Sequence, residues 1–308
     1  MAKCLVVGGN GFLGSHLVDE LVHLGHEVTV FDRFEPRRPN YSSVGVEAIR
    51  GDFLAATDLT SALRGQHLLF HCLSTTTPAT TEDDPSLDVR TNIAQTVVLL
   101  DSAVKAGIDK VHFMSTGGAM YGDVADERIS ELQMPSPVSP YAIGKLAIEG
   151  YLRYFHRKHG LESVAYRLSN PYGARQHPGR SQGVIPIFLR QIAAGLPITV
   201  LGDGSMVRDY IYAQDSARMI ARTVGLPTQH PVYNIGSGVG TSIQALVELA
   251  GRVTGRDVLT RSVPSPSTFV DRVVLDISRY TDEFGAEHVL GIEDGVARTW
   301  AEILAESG

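Results

Sequence analysis

The chain has 308 residues, 43% of them hydrophobic and 20% charged, and its mean hydropathy of +0.01 is ordinary for a globular protein. Its formal net charge of −7 argues against a general nucleic-acid-binding function. No apolar run approaches the ~18 residues of a membrane span, and no cleavable N-terminal signal is evident. The only two cysteines, Cys4 and Cys72, lie in apolar runs without metal-binding spacing, so we expect buried thiols in a cytoplasmic protein that holds no metal.

Apolar runs alternate with helical patterns through the first two thirds of the chain. The predicted strands are Cys4–Val7, Val28–Phe31, Val46–Arg50, Leu68–Cys72, Val111–Met114 and Ser163–Leu168. The predicted helices are Phe12–Leu24, Ala55–Leu63, Ser86–Ala106 and Tyr141–Lys158. This order predicts an α/β fold of the Rossmann type, a doubly wound parallel sheet.

The pattern loosens after about residue 170, where proline, glycine and arginine become frequent. We therefore expect a dinucleotide-binding domain over residues 1–169 and a smaller, interleaved substrate-binding region over residues 170–308. The acidic stretch Thr81–Pro85 is predicted to be a solvated turn before a helix. His71 and His112 are expected to be core residues, because the histidines lack metal-ligand spacing.

A glycine loop follows the first strand directly. Gly8, Gly11 and Gly14 leave room for the backbone to approach a phosphate, and the helix that opens with Phe12 and Leu13 offers it free N–H groups. A glycine motif alone also suits a tight turn, but this one lies between a strand and an amphipathic helix. We therefore predict a dinucleotide site.

Asp32 ends the second predicted strand, 18 residues after Gly14, where a carboxylate can bind ribose hydroxyls and repel a 2′-phosphate. This favours NAD over NADP, although three nearby arginines could hold that phosphate instead: Arg33, Arg37 and Arg38. Asp52 and Phe53 end the third strand, where the adenine edge is expected.

Tyr141 and Lys145 are one helical turn apart and could form a base and its charge partner. Free tyrosine titrates near ~10, and a nearby ammonium lowers that pKa. Tyr154 and Lys158 repeat the spacing, roughly 20 Å further along the helix at ~1.5 Å per residue. Because Tyr141 follows Ser139-Pro140, it is expected in the first helical turn, and we favour it over Tyr154, which we interpret as a partly buried structural residue.

Two hydroxyl residues, Ser115 and Thr116, end the fifth strand within the stretch FMSTGGAMYG. Either could share a proton with a substrate hydroxyl, or both could merely cap the strand end. The sequence leaves the choice between them open.

Together these residues resemble the extended short-chain dehydrogenase/reductase family, most closely its nucleotide-sugar 4-epimerases of the UDP-galactose epimerase type. Besides the glycine loop and SPYAIGKLAIE, the resemblance rests on YRLSNPYGARQ and GDGSMVRDYIYAQD and extends to the C-terminal tail. It implies that Tyr141 is the base and that Lys145 also holds the nicotinamide ribose. It further implies that Asn170 and Arg208 bind the substrate diphosphate, with Arg272 as a further candidate.

The resemblance implies a UDP-sugar substrate, a resident NAD and a transient 4-keto sugar. Gly117 occupies the place where the family commonly has the serine or threonine, so we expect a small bulge that lets Thr116 serve. Sugar dehydratases of the family carry Asp-Glu after the threonine, whereas this chain has Gly117 and Gly118. A reductase, a decarboxylase and a non-catalytic dinucleotide sensor remain alternatives, and relatives suggest a homodimer through the two long helices.

Overall fold

The computed structural model describes residues 1–34, 39–176, 183–265 and 270–306. The chain forms two compact units, each built from three segments. The first comprises Met1–Thr116, Pro137–Arg167 and Ala217–Tyr233, and the second comprises Gly117–Ser136, Leu168–Ser216 and Asn234–Gly308. The boundary predicted at residue 169 between a dinucleotide-binding domain and a substrate-binding region stays a prediction.

The strands of the described residues are β1 (Lys3–Val7), β2 (Glu27–Asp32), β3 (Glu47–Arg50), β4 (Leu68–His71), β5 (Lys110–Thr116), β6 (Glu162–Leu168), β7 (Asn170–Tyr172), β8 (Ile198–Leu201), β9 (Val207–Tyr212), β10 (Val232–Ile235), β11 (Gly240–Ser242), β12 (Thr260–Val263) and β13 (Arg272–Val273). Seven of them form the main sheet in the order β10-β6-β5-β4-β1-β2-β3. The pairs of β1 with β2 and β4, of β2 with β3, and of β4 with β5 are parallel. This is the predicted Rossmann-type α/β fold.

The helices are α1 (Phe12–His23), α2 (Ala56–Ala62), α3 (Pro78–Asp83), α4 (Pro85–Asp88), α5 (Ala94–Ala106), α6 (Pro140–His159), α7 (Val184–Ala193), α8 (Ala213–Arg222), α9 (Ile243–Thr254), α10 (Ser278–Phe284) and α11 (Ile292–Glu306). A π-helical turn, Val89–Ile93, joins α4 to α5. The predicted continuous helix Ser86–Ala106 is therefore wrong in one respect, since this wider turn interrupts it. No described helix is long and apolar enough to cross a membrane.

The segment predicted as a solvated turn is mostly helical. Thr77 caps α3 by accepting a hydrogen bond from the Thr80 N–H, and the Thr80 side chain in turn accepts one from the Thr77 N–H. Thr81 is fully buried, and Asp84 caps α4 through the Ser86 N–H. The helix escaped prediction because six mostly polar residues give no apolar periodicity.

The core of the first unit lies on the main sheet, where Leu5, Val7, Phe31, Leu69 and Phe113 are fully buried and pack with residues of α5 and α6. Both ends of α6 are specified locally. Ser139 accepts the Ala142 N–H with Pro140 as the first helical residue, and Gly160 ends the helix in the left-handed conformation. These features place Tyr141 in the first turn, as the sequence predicted.

The second unit has its own core and smaller sheets. Strand β9 pairs antiparallel with β11 and parallel with β7 and β13, while β8 and β12 form a separate parallel pair. Helices α7, α9 and α11 contribute a second apolar cluster that includes Phe188, Leu246 and Trp300. The amphipathic α7 thereby buries the apolar face that its sequence predicts.

Candidate active site

The glycine loop joins β1 to α1 with close backbone contacts. Gly8 has φ +83°, and a Cβ on Gly14 would lie 2.2 Å from the Gly8 carbonyl oxygen, so neither position accepts a side chain without rearrangement. Gly11 precedes α1 without a side-chain cap, and the N–H groups of Phe12 and Leu13 open the helix. This arrangement fits a pyrophosphate at the helix N-terminus.

Asp32 lies at the carboxyl end of β2 beside this loop. Its Oδ2 accepts the Asn10 N–H at 3.0 Å and its Oδ1 accepts the Arg33 N–H at 2.7 Å. Each carboxylate oxygen can accept a further hydrogen bond, so the group can still bind ribose hydroxyls. Arg33 is exposed, and the other arginines considered for a 2′-phosphate, Arg37 and Arg38, lie outside the described residues.

The two residues predicted at the adenine edge differ in their surroundings. Asp52 is exposed, and its Oδ1 accepts the Leu54 N–H at 2.9 Å. The Phe53 ring is 2% exposed and packs against His71 with ring centroids 5.4 Å apart. Phe53 therefore belongs to the core through its side chain, and only its main chain remains as a candidate ligand for adenine.

Lys145 reaches from α6 to the end of β5. Its Nζ donates to the Met114 carbonyl oxygen at 2.9 Å and lies 4.8 Å from the Phe113 ring centroid. The Tyr141 ring lies one turn earlier, with its centroid 5.7 Å from the same Nζ. The pair is thus held at the carboxyl edge of the sheet, where open α/β sheets bind ligands. Strand β4 separates β5 from β1, so the two strand ends are about 10 Å apart.

Burial governs the acid–base character of this pair in the protein itself. Loss of hydration lowers the pKa of Lys145 to about 8. Three neighbouring groups act in the opposite direction and raise it: Asp88, Cys72 and Glu149. Burial, followed by the Asp88 charge, raises the pKa of Tyr141 to about 12. Burial and the Asp88 charge thus set the pKa of Tyr141 in the protein itself, and the expected lowering of that pKa by Lys145 is not found.

The two candidate hydroxyls at the end of β5 face different surroundings. Ser115 is 4% exposed, and its Oγ donates to Glu149 Oε1 at 2.6 Å. Thr116, the last residue of the strand, is half-buried, and its hydroxyl makes no hydrogen bond within the part of the chain that the structure describes. The geometry therefore favours Thr116 as the hydroxyl open to a substrate.

The alternative tyrosine–lysine pair lies at the solvent-exposed end of α6. Tyr154 is 49% exposed, more than the partly buried position that its sequence suggested, and its ring packs edge-on against Phe155. The Lys158 Nζ lies 5.4 Å from the Tyr154 ring centroid. Because Lys145 is buried and Tyr141 partly buried, whereas Tyr154 and Lys158 are both exposed, the structure favours Tyr141.

The substrate-binding candidates belong to the second unit. Asn170 donates its Nδ2–H to the Asp209 carbonyl oxygen at 2.9 Å. Arg208 donates Nη1–H to the Val207 carbonyl oxygen at 2.8 Å and Nη2–H to that of Val270 at 2.5 Å. These bonds fix both side chains and leave Asn170 Oδ1 and further guanidinium N–H groups for a ligand.

Arg272 and Arg208 lie on neighbouring strands but begin on opposite faces of the sheet. The register aligns Arg272 with Val207, and it aligns Val273 with Arg208. Because successive side chains alternate between faces, Arg272 begins on the face opposite to Arg208. Its Nε donates to the Glu127 carbonyl oxygen at 3.4 Å. The structure thus gives Arg272 weaker support as a phosphate ligand than Arg208.

Two buried carboxylates beside the tyrosine–lysine pair were absent from the predicted site. Glu149 lies one turn after Lys145 on α6, and its Oε2 forms a 2.8 Å ion pair with Arg167 Nη2. Asp88 is 3% exposed at the end of α4. The i, i+4 spacing from Lys145 could have indicated Glu149, whereas nothing in the sequence places Asp88 against α6.

Fold and site together define a dinucleotide-binding α/β protein with a tyrosine–lysine pair at the sheet edge. The sequence profile of the NAD dependent epimerase/dehydratase family matches residues 4–236. The UDP-glucose 4-epimerase of Mycolicibacterium smegmatis is 33% identical over 96% of this chain and 97% of that protein. A dTDP-glucose 4,6-dehydratase of an Actinoplanes species is 30% identical over 97% of both chains.

Solved structures that resemble this chain include UDP-glucose 4-epimerases as well. The UDP-glucose 4-epimerase of Thermotoga maritima with UDP-glucose is 31% identical, with a TM-score of 0.92 over 99% of this chain and all of that one. The UDP-glucose 4-epimerase of Thermus thermophilus in complex with NAD is 31% identical, with a TM-score of 0.91 over 98% of this chain and 99% of that one. The chain belongs to the NAD dependent epimerase/dehydratase family, and the predictions of its family, fold and NAD cofactor are confirmed.

Proposed function

We propose that this protein is a UDP-sugar 4-epimerase that retains NAD through its catalytic cycle. The observation that carries the proposal is the Tyr141–Lys145 pair, in which the buried Lys145 is anchored to β5 by its hydrogen bond to the Met114 carbonyl oxygen. Near full-length similarity to UDP-glucose 4-epimerases supports the substrate class.

When bound, NAD would supply a hydride acceptor for C4 of the sugar, a hydride donor for the return step and a positively charged ring. Tyr141 takes the proton from the sugar 4-hydroxyl oxygen as a 4-keto sugar forms, and it returns that proton after the keto sugar has turned over. The Thr116 hydroxyl hydrogen-bonds the same oxygen and shares its proton. The Lys145 ammonium favours the phenolate form of Tyr141 and donates to the nicotinamide ribose.

Asn170 and Arg208 provide a fixed anchor for the diphosphate in this mechanism. A charge-assisted grip on the phosphates allows the sugar to rotate while the nucleotide stays bound. Because Arg272 begins on the other face of the sheet, we assign it a smaller share of this binding than Arg208.

The residues after Thr116 favour epimerisation over dehydration. Gly117 and Gly118 provide no carboxyl group to protonate a departing hydroxyl. A Cβ on Gly118 would lie 3.5 Å from Asn170 Oδ1, so a longer acidic side chain there would extend beside the proposed diphosphate anchor. Relatives include dehydratases, so dehydration remains the second candidate, to be judged by product analysis.

The test is turnover by the purified protein without added cofactor. NAD released on denaturation is quantified, and UDP-glucose, UDP-N-acetylglucosamine and UDP-glucuronate are supplied separately. We expect 4-epimers of at least one sugar. Loss of water would indicate a dehydratase, dependence on added NADH or NADPH a reductase, and binding without turnover a sensor; each of these would refute the proposal.

Replacement of the base provides the residue-level test. Tyr141→Phe should lower kcat at least ~10²-fold, as expected on loss of a positioned base. Tyr154→Phe is the matched control on the same helix and should retain activity. If the Tyr154 variant loses activity while the Tyr141 variant keeps it, the assigned site is wrong.

We also propose a cytoplasmic homodimer that pairs through α6. Three exposed apolar side chains, Ile143, Tyr151 and Tyr154, occupy positions i, i+8 and i+11 and therefore share one helix face. In contrast, Leu100 of α5 is buried, and Ile93 and Val97 pack against the core of the first unit. Light scattering should give twice the 33.3 kDa chain mass, and Ile143→Glu should give the monomer. Cell fractionation tests the compartment.

A further inference from the structure

Asp88 is a buried acidic residue that the proposed mechanism leaves without a role. It ends α4 immediately before the π-helical turn, and it is 3% exposed. Its Oδ1 accepts hydrogen bonds from Thr76 Oγ1 at 2.5 Å and from Asn92 Nδ2 at 2.6 Å. Asn92 is itself fixed, because its Oδ1 accepts the Thr75 N–H at 2.9 Å. One carboxylate oxygen is therefore held in place by neutral donors.

The other oxygen points at α6. A Cβ on Gly144 would lie 1.7 Å from Asp88 Oδ2, so the carboxylate occupies the space that any side chain at position 144 would need. Glycine inside a helix costs about 1 kcal/mol relative to alanine. The close approach of a carboxylate explains why glycine is nevertheless suitable here. Gly144 directly precedes Lys145 and follows Tyr141 by three residues, so Asp88 meets the helix between the two reactive side chains.

The other titratable groups facing Lys145 cannot supply the same charge. Glu149, on α6, is already paired with Arg167. Burial raises the pKa of the Cys72 thiol to about 12, and burial with the Lys145 charge lowers the pKa of the His71 imidazole to about 3. Both therefore remain neutral at physiological pH. The Tyr141 phenol is the remaining group, and its pKa is raised to about 12.

Asp88 makes no direct ion pair with a lysine or arginine within the described ranges. Its charge nevertheless raises the pKa of Lys145 and that of Tyr141. A negative charge fixed at this point favours the ammonium form of the lysine and the neutral form of the tyrosine. It therefore opposes loss of the Lys145 proton at mildly alkaline pH, which would remove the positive charge that favours the Tyr141 phenolate, although it also disfavours that phenolate directly.

We propose that Asp88 is a positioning residue of the proposed epimerase, whose carboxylate, seated against Gly144, keeps Lys145 in its ammonium form and fixes the turn of α6 between Tyr141 and Lys145. The inference rests on the proposed function for its catalytic meaning. Its structural and electrostatic content can be measured without turnover.

The first experiment titrates the lysines by NMR in the full-length protein as purified, labelled with ¹³C at lysine Cε. The chain has five lysines, and Lys145→Arg identifies the signal of Lys145. Asp88→Asn should move its titration to lower pH by about one unit, as expected for loss of one nearby opposite charge. Asp83→Asn removes an exposed acid from the same segment and should leave the titration unchanged. An unshifted Lys145 signal in a folded Asp88→Asn protein overturns the proposal.

The second experiment leaves the Asp88 charge in place and fills the space beside Gly144 that the carboxylate occupies. Gly144→Ala should displace the carboxylate, change the Lys145 titration and lower kcat at least ~10-fold through misplacement of the pair. Asp88→Ala combined with Gly144→Ala removes the clash, so its melting temperature should exceed that of Gly144→Ala while its Lys145 titration stays shifted. If Gly144→Ala leaves both titration and turnover unchanged, the carboxylate does not occupy that position.

The pH profile separates failure of this inference from failure of the proposed function. In Asp88→Asn, the alkaline limb of kcat/KM should move to lower pH together with the NMR titration. If the wild-type protein turns over no UDP-sugar, the epimerase proposal fails while the NMR result still decides the role of Asp88. If turnover is normal and neither profile moves, only the role of Asp88 fails.

Discussion

Replacing Ser115 and Thr116 separately should divide stability from catalysis at the end of β5. The Ser115 hydroxyl donates at 2.6 Å to Glu149, whose side chain is 1% exposed and paired with Arg167. A buried hydrogen bond to a charged group contributes about 1.5–3 kcal/mol. Ser115→Ala should therefore lower the free energy of unfolding by about 2 kcal/mol while kcat remains within about 3-fold of wild type, because its hydroxyl faces the core.

Thr116→Val should lower kcat and leave the free energy of unfolding nearly unchanged. Valine preserves the shape of the half-buried side chain, so the free energy of unfolding should stay within about 0.5 kcal/mol. Loss of the hydroxyl that shares the substrate proton should lower kcat by about 10²-fold.

Urea unfolding followed by far-UV circular dichroism measures the first effect, and epimer formation measures the second. With a slope near ~3 kcal/mol/M, 2 kcal/mol corresponds to a midpoint shift of about 0.7 M. If Ser115→Ala loses about 10²-fold in kcat at an unchanged midpoint, its hydroxyl acts on substrate and Thr116 is not the catalytic hydroxyl.

Two further predictions concern acid stability and cofactor retention. Burial lowers the pKa values of His71 and His112 from 6.5 to about 3, so as the pH falls these histidines gain protons in the unfolded chain before they do so in the folded one. Each histidine should therefore remove about 1.4 kcal/mol from the free energy of unfolding per pH unit below 6.5. His112→Phe should halve the combined pH dependence of the two histidines, measured by urea unfolding at pH 6.5 and about one pH unit lower. Gly14→Ala places a Cβ 2.2 Å from the Gly8 carbonyl oxygen and should abolish co-purification of NAD, measured after denaturation. Gly291→Ala, where a Cβ meets nothing within 4 Å, should retain full NAD content, and equal loss in both variants would exclude the steric explanation.

The first unit was largely predictable because most of its strands, with the exception of the exposed β3, are buried apolar runs separated by glycines or helices. The predicted strand Val28–Phe31 corresponds to Glu27–Asp32, and the predicted strand Leu68–Cys72 to Leu68–His71. The second unit was predictable only in outline. Its β9 pairs with β7, β11 and β13, which are distant in sequence, and a two-residue strand such as Arg272–Val273 has no periodicity to detect.

The site shows the same limit at the level of single residues. Spacing alone brought Tyr141 and Lys145 to one helix face, but it could not choose between Ser115 and Thr116, because adjacent residues of a strand point to opposite sides. The structure separates the two, because the Ser115 hydroxyl donates to the buried Glu149 carboxylate. Similarly, the sequence could not show that Arg208 and Arg272 begin on opposite faces of the sheet, because only the strand register separates them.

The buried charges around Lys145 explain why these residues act as a set. Glu149 and Arg167 form a 2.8 Å ion pair, so their charges cancel and their contribution is to join α6 to β6. Asp88, which has only neutral donors, then balances Lys145, and the four buried charges sum to zero. A buried charge left without compensation costs about 3–5 kcal/mol, whereas removal of a balanced pair is often neutral. Lys145→Met combined with Asp88→Asn should therefore be more stable than Lys145→Met alone, although both are inactive, and a double variant no more stable than the single one would show that Asp88 and Lys145 do not balance each other.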